Sequence, residues 1–474
     1  MKLSEEKYIL YKNFLKVYRP FYNVFYLADL IHWMRNDQVF LSAEQIKEKW
    51  EEQVRLIKEG KNSDVLNFYI HIPFCRSKCS YCKYYSNPLV DDKLKSYLNR
   101  LIKQMFYFRQ TFSGAEFSSL YIGGGTPSVL TLSQLDKLLS NLFNCFRFKE
   151  GGEKTFESNP ESITLEKLKL LKKFRFNRVS FGVQSLDKMV LSYANRDYQN
   201  YNLIKKVVKN AKLLGLEVNT DIMIGLRGES IKSIINSFID LTRVQPNTIT
   251  LYLFKPSEEY LKKYFNNDYD SFNSQLYKKA KIVYRILKLK AKTLNYFKNK
   301  RSFEICNVAD PIFRPKEYKA PYKNRYGYTA PFTYPKPCSL FALGTRASAY
   351  IFNSLQYHDA AIGSEIADFN PNEKNYWSLG FDLRDEMRYF ILQQLSSRLC
   401  FSRKEFENYF GSCFEDNFKP AINSLKELKK IKFNKDLVFL PSDPIERYTC
   451  ALFFLDEKKA IKKIKGFLFE KFFS

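Results

Sequence analysis

"FYIHIPFCRSKCSYC", residues 68–82, starts as a β-rich run and ends in a loop holding Cys75, Cys79 and Cys82. The whole chain has only nine cysteines, so this cluster needs a reason. One disulfide would use two of the three and strand the last. A structural zinc site takes four ligands, usually as two separated pairs. The nearest extra candidate is His71, and no second pair follows it. A Cys-x3-Cys-x2-Cys loop suits an iron–sulfur cluster held by three thiolates, with one iron left without a protein ligand. An open coordination position is what a catalytic metal site requires.

Working outward, the same strand-then-loop pattern recurs. "FYIHI" (68–72), "SLYIGG" (119–124), "KTFES" (154–158), "RVSFGV" (178–183), "EVNTDIMIG" (217–225) and "TITLYLF" (248–254) are short β-rich runs. Their spacing leaves room for a helix after each, as a βαβ unit requires. "LSQLDKLLSNLF" (132–143) and "NLIKKVVKNAKLLG" (202–215) show helical periodicity, the second stopping at Gly215. The predicted class is α/β: a partial parallel (β/α)6 barrel rather than the closed eight-unit form.

On that plan the unusual polar residues converge. Cys75 follows the first strand and Gly123–Gly125 follow the second. Glu157 ends the third, Gln184 the fourth, and Asp221 lies in the fifth. Each alone has an ordinary explanation: a helix cap, a loop hydrogen bond, a satisfied carboxylate. Together they point to the C-terminal edge of the strands, where parallel barrels carry their chemistry. "YIGGGTPS" (121–128) is neither a phosphate loop nor a dinucleotide fingerprint, since the Gly-Lys-Ser/Thr and G-x-G-x-x-G patterns are absent. Beside three thiolates it reads as a cradle for a small zwitterion, with Glu157 placed to hold ribose hydroxyls.

The stretches "YIHIPFCRSKCSYC" (69–82), "YIGGGTP" (121–127), "FESNPESIT" (156–164), "NRVSFGVQSLD" (177–187), "NTDIMIGLRGES" (219–230) and "FALGTRASAY" (341–350) resemble the radical S-adenosylmethionine superfamily. More narrowly they are similar to its oxygen-independent coproporphyrinogen III dehydrogenase and heme-chaperone branch. The resemblance implies a [4Fe–4S] cluster on Cys75, Cys79 and Cys82, and S-adenosylmethionine on its open iron. It places Gly124, Gly125 and Thr126 at the methionyl end. Glu157, Gln184, Arg196 and Asp221 would line the cofactor, with Tyr69 as a catalytic residue near the cluster. Gly344 and Arg346 fall where family members hold a second S-adenosylmethionine. The implied substrate is a tetrapyrrole or another planar carboxylated molecule, with Arg196 and Arg346 as partners for its acids. The implied electron donor is of the flavodoxin or ferredoxin kind. Tyr84 stands where the dehydrogenase branch tends to carry a fourth cysteine, which points away from a simple decarboxylating assignment. The alternatives are a heme-binding chaperone, a radical methyltransferase and an RNA-modifying enzyme. For heme ligation the candidates are His358, Cys306 and Cys338.

Four regions are expected: an N-terminal helical extension (1–60), the barrel (61–300), a substrate and second-cofactor loop region (301–375) and a C-terminal helical, winged-helix-like domain (376–474). In the third, "RPKEYKAPYKNRYGYTAPFTYPKP" (314–337) reads as a long loop and a candidate lid. In the fourth, "KIKFNKDLVFLP" (430–441) reads as a hairpin. A winged helix alone suggests nucleic acid, but in the resembling branch such a domain caps the substrate side, and that reading is preferred. "EKKAIKKIKGFLFEKFF" (457–473) reads as a docked terminal helix, with a peripheral membrane contact as the sharper alternative.

The net charge is +27 over 474 residues, but the lysines are spread along the chain rather than gathered in one arm. Hydrophobic residues make up 45%, as in globular proteins. Cys145, Cys306, Cys338, Cys400, Cys413 and Cys450 show no paired spacing, as expected of reduced thiols. The acidic start "MKLSEEKYIL" is unlike a signal peptide, and the aromatic stretch after it carries too many charges to span a bilayer. A cytoplasmic location is expected.

Overall fold

The computed structural model describes residues 3–18, 31, 35, 37–61, 65–293, 296–298, 312–315, 337–361, 368–397 and 400–473. Cys306, His32 and most of the candidate lid lie outside them.

All six β-rich runs are strands: β1 (Val65–Ile72), β2 (Ser119–Gly124), β3 (Lys154–Ser158), β4 (Arg178–Gln184), β5 (Glu217–Ile224) and β6 (Thr248–Leu253). They pair in chain order and all in parallel. The helices between them are α1 (Asp91–Phe108), α2 (Leu132–Cys145), α3 (Leu165–Lys173), α4 (Tyr201–Leu213) and α5 (Ile231–Val244). Their starts are encoded locally. Thr131 and Gln134 form a capping box at α2, and Asn200 caps α4. Gly215, at φ +68°, lets the chain turn out of α4 into β5.

The sheet goes further than six strands. Among the described residues it has 13, and β7 (Cys338–Leu343) extends it beyond β1, again in parallel. β8 (Ser348–Ile351), β9 (Leu355–Asp359) and β10 (Tyr376–Gly380) follow as an antiparallel meander. The described part of 301–375 is therefore largely sheet rather than loop.

Strand alternation separates two faces. Phe68, Ile70, Leu120, Ile122, Phe156, Val179, Phe181 and Val218 are at most 4% exposed and belong to the main core. Phe341 of β7 meets Phe68 and Trp50 edge-on, at 5.1 and 5.4 Å between ring centroids. The opposite, inner face is polar: Asn67, Tyr69, Ser119, Tyr121, Glu157, Ser180, Asn219, Asp221 and Thr250.

Residues 383–473 form a second core. The strand Cys400–Ser402 pairs with a hairpin of Lys432–Asn434 and Leu437–Phe439, beside the helices Leu383–Ser397, Arg403–Phe410 and Lys419–Glu427. This is the expected winged-helix outline. The expected extension over 1–60 divides between the two cores. Tyr11 and Phe14 of the helix Leu3–Tyr18 belong to the second, where Tyr11 meets Phe453 at 5.3 Å. Trp50 of the helix Ala43–Lys58 belongs to the first and donates to Tyr357 Oη at 2.6 Å. Among the described residues no helix is long and apolar enough to cross a membrane.

Candidate active site at the sheet rim

The cysteine loop leaves β1 and is clasped from two sides. On one side, Gly125 and Thr126 donate their amides to Ile72 and Phe74 carbonyls, at 2.9 and 2.8 Å. Thr126 Oγ1 then lies 3.3 Å from Cys75 Sγ. On the other side is the turn around residues 193–196. Ser80 Oγ donates to the Tyr193 carbonyl at 2.6 Å, and Asn195 Nδ2 to the Lys78 carbonyl at 3.0 Å. Arg196 Nη1 lies 3.5 Å from Cys79 Sγ. Cys75, Cys79 and Cys82 are all half-buried and free of disulfides. Among the described residues, no group of His, Cys, Asp or Glu gathers as the ligands of one ion would. Thiolates on a cubane cluster each bind a different iron, so they need not converge on one point.

The glycines answer to the protein's own packing. A Cβ on Gly123 would lie 2.5 Å from Glu157 Oε2, on Gly124 2.9 Å from the His71 ring, and on Gly125 2.8 Å from the Phe74 carbonyl and 3.0 Å from Cys75 Sγ. No side chain fits at any of the three. This close fit presses the second strand's end against the cysteine loop.

Behind that turn, Glu157 accepts from Tyr121 Oη at 2.5 Å and from the Gly124 amide at 3.2 Å. Burial pushes its carboxyl above the usual range. Asp221 accepts from Asn219 Nδ2 at 2.6 Å and from Ser180 Oγ at 3.4 Å, and burial pushes it up to about 7. Tyr69 Oη lies 2.8 Å from His71 Nδ1. Burial holds His71 down, to about 4, so it is neutral near pH 7.

Gln184 is set by a bulge. The β4–β5 register slips so that Gly182 faces Asp221 and Gln184 faces Ile222. Gln184 takes φ +68°, a costly conformation for a residue other than glycine, and its Oε1 is buried without a hydrogen-bond partner in the structure. Arg196 is 5% exposed. It donates to the Gly182 carbonyl and to Gln199 Oε1, the latter at 2.9 Å. Its Nε has no partner, and no ion pair to it occurs among the described residues. A surface ion pair, the ordinary role for such an arginine, is not what it makes. Gly344, at φ +105°, is packed where a Cβ would collide with Tyr97 Oη and meet the His71 carbonyl at 2.7 Å. That contact ties the end of β7 to the end of β1. Arg346 follows, 3.2 Å from His358 Nε2.

The structure thus brings Cys75, Cys79, Gly124, Gly125, Thr126, Glu157 and Arg196 into one connected set. Tyr69 joins through His71, Asp221 and Gln184 line the neighbouring strands, and Gly344 meets the set at His71. Cys338 is buried in β7 and Cys145 in α2, away from any such constellation. Sequence reading passed over Tyr121, Asn219 and Ser180, which hold the carboxylates. The period-2 alternation that marks the inner face would have found them.

The fit to a cluster and S-adenosylmethionine rests on three observations. Three free thiols share one loop, a buried arginine beside them lacks a carboxylate, and an amide oxygen at the rim lacks a donor. Residues 69–241 match the family model described as the Radical SAM superfamily. The heme chaperone HemW of Buchnera aphidicola subsp. Schizaphis graminum is 30% identical over 190 residues, 40% of this chain and 50% of that protein. The oxygen-independent coproporphyrinogen III oxidase of Escherichia coli K12 is 30% identical over 191 residues, 40% of this chain and 41% of that one. The chain thus spans about half the length, or less, of these relatives. The solved structure of coproporphyrinogen III oxidase from Escherichia coli shares the fold, with a TM-score of 0.65 over 85% of this chain and 92% of that one, at 18% identity. Residues 69–241 thus match a radical S-adenosylmethionine domain, and the chain is similar there to coproporphyrinogen III oxidases and heme chaperones.

Proposed function

We propose that this protein is a radical S-adenosylmethionine enzyme acting on a tetrapyrrole, in the manner of an oxygen-independent coproporphyrinogen III oxidase. The observation that carries this is the Cys75–Thr126 and Cys79–Arg196 clasp, which sets a three-thiol loop against a glycine turn and a buried cation at the sheet rim. Cys75, Cys79 and Cys82 would hold the [4Fe–4S] cluster. When bound, a reduced cluster of this kind supplies the electron that breaks S-adenosylmethionine into methionine and a hydrogen-abstracting 5′-deoxyadenosyl radical.

The chain's own residues bind and orient. Arg196 offers a fixed charge for the methionyl carboxylate. Glu157, held by Tyr121 and the Gly124 amide, would take the ribose hydroxyls. Asp221 and Gln184 offer an acceptor each toward the ribose and adenine side. The Tyr69 hydroxyl shares a proton with neutral His71 and lies beside Tyr121, at 6.2 Å between rings. Reduction would come from a flavodoxin or ferredoxin type of donor.

A second reading, a heme chaperone of the same branch, is favoured by Tyr84. It is 66% exposed where the oxidase side of the branch tends to place a cysteine. A phenol with a pKa near 10 cannot replace a thiol in redox work. The test is anaerobic incubation of the reconstituted protein with coproporphyrinogen III and, separately, with heme, read by mass spectrometry and heme absorbance. Loss of two carboxyl groups from coproporphyrinogen III supports the oxidase. Stoichiometric heme uptake without that product supports the chaperone. If neither is seen in protein that holds its iron, the tetrapyrrole reading is refuted.

A further inference from the structure

The cysteine loop has two sides, and only one is turned to the sheet. Gly125 and Thr126 close over the inner side at the rim. On the outside Arg76, Lys78, Lys83 and Tyr84 are exposed, Tyr84 to 66%. The turn that clasps this outer side brings a second surface against it. Besides the bonds from Ser80 Oγ and Asn195, the Ser80 amide donates to the Ala194 carbonyl at 3.3 Å.

That second surface is built around Tyr193, the last residue of the helix Lys188–Tyr193, which is 41% exposed. The Arg227 guanidinium lies 4.3 Å from the centre of the Tyr193 ring and 4.7 Å from that of Tyr264. Two aromatic faces hold a cation in place without cancelling its charge. Lys263 Nζ lies 5.3 Å from the same Tyr264 ring. Gly228, at φ +76°, lets the loop that carries Arg227 press on this cluster. A Cβ there would meet the Tyr193 ring at 2.7 Å and Met189 Cε at 3.5 Å. Met189 is itself 54% exposed. An exposed ring and thioether bordered by cations thus run on directly from the cysteine loop.

The acids nearby do not neutralise this face. Glu161 is engaged by Arg76 at 3.4 Å. Asp187 is turned to its own helix, where it accepts from the Met189 and Val190 amides at 3.0 and 3.1 Å. Glu229 accepts from the Gly225 amide at 2.6 Å, and burial pushes its carboxyl up to about 8. Asp197 is the exposed acid beside the clasping turn. Among the described residues no carboxylate reaches ion-pair distance of Lys78, Lys188, Lys263 or Arg227.

We propose that the outer face of the cysteine loop, with Tyr193 and Arg227, is the docking surface for an acidic electron-carrier protein. This rests on the radical-enzyme reading above, which requires an electron from outside. The carrier is oxidised by one electron and the cluster is reduced by one. Electron transfer falls off steeply with distance, so the carrier must approach the thiolates closely. On that reading the inner side of the loop is occupied by S-adenosylmethionine and substrate, which leaves the exposed outer side. A small apolar centre in a cationic rim suits a partner that must bind, deliver and leave. Encounters of this kind bury less than about 1,200 Å², and rim charges govern their rate and salt dependence.

The test uses the full chain with its cluster reconstituted. A bacterial flavodoxin and a ferredoxin, both acidic, are the probes. Binding of each in its oxidised form is measured by calorimetry at low and high salt for the wild type, Lys78→Glu, Arg227→Glu and, as a distant exposed control on α4, Lys209→Glu. Cluster reduction by the reduced carriers and by dithionite is followed by absorbance. Lys78→Glu and Arg227→Glu should each weaken binding of at least one carrier, and slow reduction by it, by roughly tenfold at low salt. The difference should shrink at high salt, and reduction by dithionite should not change. Lys209→Glu should behave as wild type. The proposal is overturned if neither carrier binds the wild type, or if Lys209→Glu weakens binding as much as the other two. It is also overturned if Arg227→Glu abolishes self-association or the binding of a short RNA while leaving both carriers unaffected. A wild type that holds no iron sinks the radical-enzyme reading, while the calorimetry still decides whether this face takes an acidic carrier.

Discussion

At the N-terminal end of the inner sheet face, Arg178 lies 3.6 Å from Glu153 and 3.5 Å from Glu217, and Asn219 accepts from Thr248 and Thr250 at 2.7 and 2.9 Å. At the C-terminal end, no cation reaches ion-pair distance of Glu157 or Asp221 among the described residues, and Gln184 Oε1, His71 Nε2 and Arg196 Nε have no hydrogen-bond partner. Both ends are buried and both are built of ionisable residues on the same strands. Buried polar groups are normally satisfied, because each orphan costs about 1–3 kcal/mol. One end of the face pairs its charges with one another and holds the sheet together. The other leaves two carboxylates without a cation and adjacent polar atoms without a partner, which is expected where a ligand supplies them.

The contrast can be broken by mutation. Arg178→Met leaves Glu153 and Glu217 buried without their cation, and removing one partner of a buried pair costs about 3–5 kcal/mol. The urea midpoint of the protein without cofactor should fall accordingly, while whatever fraction folds should still accept iron. A midpoint equal to wild type would mean that the lower ion pairs hold nothing together.

The next effect is smaller and opposite in kind. Glu157→Gln removes a carboxylate that burial already disfavours, so the folded state should lose little or gain. S-adenosylmethionine affinity should drop by roughly ten- to a hundredfold, the loss of one charge-assisted hydrogen bond worth about 1.5–3 kcal/mol. Unchanged affinity by calorimetry with intact iron content would return Glu157 to a packing role against Gly123.

The smallest effect is a pH dependence. Burial raises the Asp221 carboxyl from the ordinary carboxylate range to about 7. A carboxyl with a raised folded pKa favours the folded state most while protonated. Its contribution is complete below its unfolded value and is lost as pH climbs toward about 7. The melting temperature of the protein without cofactor should therefore fall between pH 5 and pH 8 relative to Asp221→Asn. One such carboxyl gives at most about 1.4 kcal/mol per pH unit over that window, while bonds that Asn cannot keep shift the whole curve equally. Parallel pH curves for the two proteins would show that Asp221 is ionised throughout and already satisfied.

Much of this was legible because parallel strands and their loops write themselves into sequence. "SLYIGG" and "KTFES" are strands over Ser119–Gly124 and Lys154–Ser158, bounded by the turn and cap residues that flagged them. The rim residues were found through their place at strand ends. The extension through β7 to β10 was not, since an antiparallel meander following a long Pro- and Tyr-rich stretch has neither the helix spacing nor the punctuation of a βα unit. Nor was the allegiance of the helix Leu3–Tyr18 visible. Tyr11 and Phe14 make it amphipathic, but only tertiary packing says that their partner is Phe453, more than 400 positions away. Arg346 was noticed for its charge. Its neighbour His358, and Trp377 stacked on that ring, are brought together by strand register, and register cannot be read from spacing alone.

The central claim is that the unsatisfied end of the face holds a cluster-bound cofactor that is cleaved by reduction. The direct measurement is 5′-deoxyadenosine formed by anaerobically reconstituted protein with S-adenosylmethionine and dithionite, alongside Cys75→Ala, Cys79→Ala and Cys82→Ala. The wild type should hold about four irons and release 5′-deoxyadenosine, and each variant should lose both while melting close to wild type. A wild type with a full cluster that leaves S-adenosylmethionine intact, or variants that retain the iron, would contradict the account.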